Sequence, residues 1–107
     1  QPGGVHYERF VKALEAGKAK GAQVQLGFHG TVPQNIDPIL QHGLDPARRN
    51  GQAKGPGEYF GRKAQVALNY CRGSKSMLLF VLNMDQGGLT YNQDDIIVIH
   101  KAEHQLP

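Results

Sequence analysis

The stretch Val24-Gln25-Leu26-Gly27-Phe28-His29-Gly30-Thr31, followed by Val32-Pro33-Gln34-Asn35 and Ile36-Asp37-Pro38-Ile39-Leu40-Gln41-His42-Gly43, decides how this chain is read. Val24–Phe28 alternates apolar with polar or small residues, as a half-buried strand does. Asn35 is a good N-cap residue, Pro38 is tolerated in a first turn and Gly43 is a stop, so a helix is expected over Ile36–His42. His29-Gly30-Thr31 falls at the strand's end, a position that suits either a tight turn or a backbone kept bare for a ligand.

Working outward, Tyr7, Phe10, Val11 and Leu14 fall on one helical face, predicting a helix over Tyr7–Ala16 that stops at Gly17. Glu58–Phe60 is expected as a short strand and Lys63–Tyr70 as a short helix. Met77–Leu82 is expected as a buried strand, Asp85–Gly88 as a turn, and Leu89–Tyr91 and Ile96–His100 as two more strands. Residues 45–56 form the longest polar loop. The order of elements lacks regular βαβ alternation, so the fold class is α+β with a mixed or antiparallel sheet and short helices.

At 107 residues the chain is one domain, with an apolar fraction of 39% that allows a modest core. Its 14 glycines and 6 prolines predict turns rather than disorder. A net charge of +3 and a pI near 9.2 favour anionic ligands, but the basic residues are scattered and form no nucleic-acid stripe. Cys71 is alone, so no internal disulfide forms, which fits an intracellular setting. No stretch has membrane-spanning character, and no membrane association is expected. The start at Gln1 points to a fragment of a longer protein.

Several chemistries are disfavoured. Only Ser74 and Ser76 are serines, and no Gly-x-Ser-x-Gly or phosphate-loop pattern occurs. His100-Lys101-Ala102-Glu103-His104 spells an inverted zinc-protease string, but it follows a β-branched strand with three residues left, so it reads as a solvated C-terminal turn and no metal is expected. Cys71 reads as a core residue.

What remains is His29-Gly30-Thr31, Gly55-Pro56-Gly57-Glu58-Tyr59-Phe60 and Tyr70, in that order. Taken together, these motifs resemble the ADP-ribosyltransferase domain of the poly(ADP-ribose) polymerase (diphtheria-toxin-like) family, over about Leu26 to Pro107. Phe28 to Leu44 is similar to the family's His-Gly-[Ser/Thr]…Ile-Leu-x-x-Gly-Leu segment, Asp45 to Gly51 to its donor loop, and Gly55 to Phe60 to its Gly-x-Gly-x-Tyr-Phe. Ala67-Leu68-Asn69-Tyr70 is similar to a helix end that carries a second Tyr.

The resemblance implies a compact single catalytic domain over 1–107, without a regulatory helical domain, that uses NAD⁺ as co-substrate. It implies that His29 bonds the adenosine-ribose hydroxyls and that the Gly30 backbone, beside Thr31, grips the nicotinamide amide. Tyr70 would stack on the nicotinamide face and Tyr59 would help to close the pocket. Asn35 and Arg48 are further candidates for the cofactor, Arg48 through the pyrophosphate. Ala67 stands where many relatives carry a serine, at the loss of one hydrogen bond worth about 1 kcal/mol.

The family's catalytic Glu precedes a Val/Ile-rich strand. Two registers compete here, one placing Gln93 at that position and the other Asp95. Asp95 is preferred, because Ile96–Ile99 and the downstream Leu106-Pro107 anchor it, with Asp94 as its neighbour. On a strand only one of the two acids would face the pocket. Replacement of the Glu implies single-unit ADP-ribosyl transfer or NAD⁺ hydrolysis, to a protein or nucleic-acid acceptor, by a monomeric domain. The alternatives are an inactive NAD⁺ or ADP-ribose binding module on the same fold, and a tRNA 2′-phosphotransferase, which the two tyrosines disfavour.

Overall fold

The computed structural model describes residues 5–18, 23–46, 54–65 and 76–107. Two helices, α1 (Val5–Lys18) and α2 (Ile36–His42), accompany six strands: β1 (Val24–Thr31), β2 (Glu58–Gly61), β3 (Ser76–Asn83), β4 (Leu89–Gln93), β5 (Ile96–Ile99) and β6 (Gln105–Leu106). The strands form one sheet in the order β4-β5-β2-β1-β3-β6, with every pairing antiparallel. The α+β class expected from the element order is the class observed. Of the expected helix over Lys63–Tyr70, residues 64–65 are helical and 66–70 lie outside the described residues.

Successive side chains of each strand point to opposite faces of the sheet. Phe80 and Leu82 of β3, Phe60 of β2, and Ile97 and Ile99 of β5 project from one face and are buried, joined by Ile39 of α2. Phe60 and Phe80 meet with ring centroids 5.1 Å apart in a tilted pair, a favoured arrangement of aromatic quadrupoles. Val24, Leu26 and Leu79, at alternate positions, point to the opposite face and are about half exposed.

α1 contacts β3, β6 and the 3-10 turn at Ala102–His104. Its buried residues are Phe10 and Gly17, with Val11, Ala13 and Leu14 half-buried, whereas Tyr7 is largely exposed. Gly17 therefore does not stop the helix, which runs on to Lys18. A glycine costs a helix only about 1 kcal/mol, an amount that packing readily offsets. His6 Nε2 lies 2.7 Å from the Gln41 carbonyl and links α1 to the end of α2. Gly43 ends α2 as expected, with φ +76° and its N–H on the Ile39 carbonyl at 2.7 Å. Asn35 precedes α2 from a 3-10 turn, Pro33–Asn35, and its side chain makes no cap bond.

Two features of the sheet matter for the site. β1 pairs with β3 along its whole length, Val24 opposite Asn83 through Thr31 opposite Ser76, but with β2 only at Phe28 opposite Gly61. The β4–β5 ladder shifts between Leu89 and Tyr91, so Thr90 is the extra residue of a β-bulge. Among the described residues, no helix is long and apolar enough to cross a membrane, and no cluster of three His, Cys, Asp or Glu stands ready for a metal.

Gly57 shows how tightly β2 approaches β5. It has φ +146°, and a Cβ there would lie 2.7 Å from Val98 Cγ1 and 2.8 Å from the Ile99 carbonyl oxygen. Gly57→Ala is expected to destabilise the domain by more than about 1 kcal/mol, read as a lower urea midpoint at an unchanged slope.

Candidate active site

His29-Gly30-Thr31 forms the last three residues of β1, which runs past Phe28 because β3 pairs with it through Thr31. Gly30 therefore stands opposite Met77 and makes no turn. Thr31 is buried.

The His29 ring lies on the core face, its centroid 5.7 Å from that of Phe60 and 6.0 Å from that of Phe80. Its Nδ1 is 3.0 Å from the Tyr59 carbonyl oxygen. A carbonyl only accepts, so Nδ1 carries the proton. Burial pushes the imidazole pKa below 6.5, opposed by the bond to Tyr59 and by the negative charge of Glu58. The ring is therefore neutral at pH 7, and Nε2 is a lone-pair acceptor suited to a hydroxyl donor.

Tyr59 lies on the other face from His29, since it is next to Phe60 on the same strand. Its hydroxyl donates to the Gly55 carbonyl at 2.8 Å and accepts from the Lys54 N–H at 2.7 Å. Tyr59 thus works twice: its carbonyl orients His29 and its hydroxyl pins the 54–57 turn. The bulged Thr90 pins the same turn from β4, its hydroxyl donating to the Pro56 carbonyl at 2.6 Å. Gly55, at φ +102°, leaves room for the Thr90 methyl, which a Cβ would meet at 2.5 Å.

Asp94 and Asp95 are not on a strand. Gln93 pairs with Ile96, so the two acids form the two-residue tip of the β4–β5 hairpin, with φ +54° and +66°. Two positive φ values mark a type I′ turn, which aspartate tolerates better than most residues. Strand alternation therefore does not govern which acid faces inward. Their contacts do distinguish them. Asp94 Oδ2 accepts from the Tyr91 hydroxyl at 3.4 Å, while Asp95 Oδ2 lies 3.6 Å from Lys63 Nζ and its carbonyl accepts from the Arg62 N–H at 2.9 Å. The Arg62 guanidinium in turn bonds Asn92, and Lys54 Nζ sits 5.2 Å over the Tyr91 ring.

The register carries Asp95 towards β1. Ile96 stands opposite Gly61, and Gly61 opposite Phe28. Two strand spacings, about 10 Å, thus separate the start of β5 from the residue before His29. His29, Gly30, Thr31 and Tyr59 gather along the β1–β2 boundary, Asp95 stands at the neighbouring hairpin tip, and Asn35 lies just beyond β1 with its amide uncommitted to the helix cap. Tyr70, Ala67 and Arg48 lie outside the described residues.

Sequence reasoning missed the Tyr59 carbonyl, the Thr90 hydroxyl and the buried Glu58. A backbone carbonyl leaves no mark in a sequence, and a bulge is visible only once the strands are paired. Glu58 left a signal, an acid at an inward position of a strand.

Two expectations follow. Tyr59→Phe keeps the carbonyl on His29 but releases the 54–57 turn, at about 1 kcal/mol, with faster amide exchange at Lys54. His104, buried in the turn before β6, is pushed below 6.5 by burial, Lys101 and His100 adding to it and Glu103 and Asp85 opposing. Since His29 and His104 are both less basic in the fold, the unfolded chain binds more protons as pH falls through 6.5. The stability these two groups contribute is thus complete above that pH and lost below it, down through the folded values, as urea midpoints at about pH 7.5 and about pH 5 will show.

A model of the poly(ADP-ribose) polymerase catalytic domain matches residues 6–105. No curated protein matches the chain. With nearly its whole length covered, and with an α+β sheet consistent with that fold, the chain belongs to the poly(ADP-ribose) polymerase catalytic-domain family, whose members are ADP-ribosyltransferases that use NAD⁺ as substrate.

Proposed function

We propose that this domain cleaves the nicotinamide–ribose bond of NAD⁺ and transfers a single ADP-ribosyl unit to a macromolecular acceptor, protein or nucleic acid. The observation that carries the reading is His29, held neutral by burial with Nδ1–H on the Tyr59 carbonyl. That geometry leaves Nε2 to accept from a ribose hydroxyl. Residues 1–107 act in this reading as one minimal catalytic domain, monomeric and intracellular.

The chemistry then runs through this chain's own groups. The Gly30 backbone grips the carboxamide, assisted by Thr31 and Asn35, and Tyr70 stacks on the cationic pyridinium beside Ala67. Tyr59 holds the turn that walls the pocket, and Arg48 meets the pyrophosphate. Nicotinamide leaves with the electron pair of its bond to ribose, and positive charge grows on the sugar. Asp95 stabilises that charge through a ribose hydroxyl. The acceptor nucleophile bonds to the anomeric carbon and releases its proton to solvent water.

Single-unit transfer fits the acid. Aspartate is one methylene shorter than glutamate, and the Asp95 carboxylate already lies 3.6 Å from Lys63 Nζ. The same ion pair, together with Ala67, favours the second reading, a module that binds NAD⁺ without turning it over.

Incubation with NAD⁺ labelled in the adenylate half distinguishes them. The expected result is free nicotinamide and label attached as single units. Asp95→Ala is expected to lower turnover by about 100-fold or more with NAD⁺ affinity nearly unchanged. Binding without nicotinamide release refutes the transferase reading. Loss of turnover in Gln93→Ala but not in Asp95→Ala moves the catalytic position to Gln93.

A further inference from the structure

Among the described residues Glu58 is the only buried acid, at 6% exposure. It opens β2 opposite Ile99, on the face that carries Phe60 and the His29 ring. A carboxylate among Phe60, Ile97 and Ile99 is costly unless it is bonded. Gln105 supplies the bond, its Nε2 donating to Glu58 Oε1 at 2.7 Å and to the Ile99 carbonyl at 3.1 Å. Gln105 therefore ties β2, β5 and β6 together at one point.

A well-packed apolar side chain of similar size serves a core position at least as well as a buried polar pair. What an apolar residue does not supply is charge, and His29 stands within the field of this one. The negative charge of Glu58 acts on the His29 ring and opposes the effect of its burial. The next carbonyl along the strand, that of Tyr59, accepts the proton of His29 Nδ1.

We propose that Glu58 is a positioning residue for His29: paired with Gln105, it anchors the strand that offers the Tyr59 carbonyl, and its negative charge keeps the N–H side of the imidazole turned inward and Nε2 outward as the acceptor. The functional part rests on the reading of His29 as the acceptor of a ribose hydroxyl. Glu58 never touches the cofactor. It acts through the ring, and through the pH at which the ring takes a second proton and Nε2 ceases to accept.

The charge of Glu58 favours the imidazolium and burial disfavours it. Removing the charge while keeping the shape must therefore lower the pH at which His29 titrates. Glu58→Gln retains an oxygen for Gln105 Nε2, so the anchoring bond survives. In the folded, ligand-free domain, the titration midpoint of His29, followed by NMR, is expected to fall in E58Q by on the order of 0.5–1 pH unit. The acid limb of NAD⁺ binding should move by the same amount. A folded E58Q with an unchanged His29 midpoint overturns the proposal.

Should E58Q fail to fold, the wild-type chain still decides. The ¹³C carboxyl signal of Glu58 must show an inflection at the His29 midpoint, and a flat signal there overturns the proposal. Both titrations are made without NAD⁺. A shifted midpoint with no NAD⁺ turnover therefore sinks the transferase reading and leaves the positioning role standing.

Discussion

His29, Phe60 and Phe80 meet on one face of the sheet, and the candidate site depends on that contact. The two phenylalanines are core residues at 2% and 0% exposure. The histidine leans on both, so its ring is placed by the same packing that holds the domain together. Burial in that corner removes its charge, and a neutral ring with one nitrogen committed has its other nitrogen defined as an acceptor. The rigidity of the core is thus passed directly to a polar group, without an intervening loop.

The boundary between β1 and β2 gives that ring its place. β3 holds β1 along its full length, whereas β2 meets β1 at a single pair. There the Tyr59 carbonyl meets the His29 imidazole. Around this junction the 54–57 turn is fastened from two sides, by the Tyr59 hydroxyl and by Thr90. The bulge in β4 explains why a threonine from that strand reaches so far. An extra residue breaks the alternation and re-aims the side chain. Glycines at 55 and 57 admit the approach, where a Cβ would strike Thr90 and Val98.

Strand and helix positions are largely legible because alternation and capping are local signals. Met77–Leu82 and Ile96–Ile99 are apolar runs that only burial explains, and both lie in strands of the core. Boundaries stray where pairing overrides local preference. β1 runs on through Thr31 because β3 offers it partners, and α1 runs through Gly17 because packing offsets the cost of a glycine. The acids at 94 and 95 precede the strand expected from Ile96, and residue type alone does not reveal that they form the two-residue tip of a tight hairpin.

By itself, the sequence determined the α+β class, the helix ending at Gly43, most of the strands and the family motifs around His29 and Gly55–Phe60. All of these are encoded in residue type and short spacing. Only the tertiary structure decided which nitrogen of His29 carries the proton, which carbonyl holds it, and that Glu58 is buried with Gln105. It also decided that Asp95 stands at a hairpin tip beside Lys63. These properties arise between residues far apart in the chain, where burial, register and backbone groups set the energies. No local pattern records them.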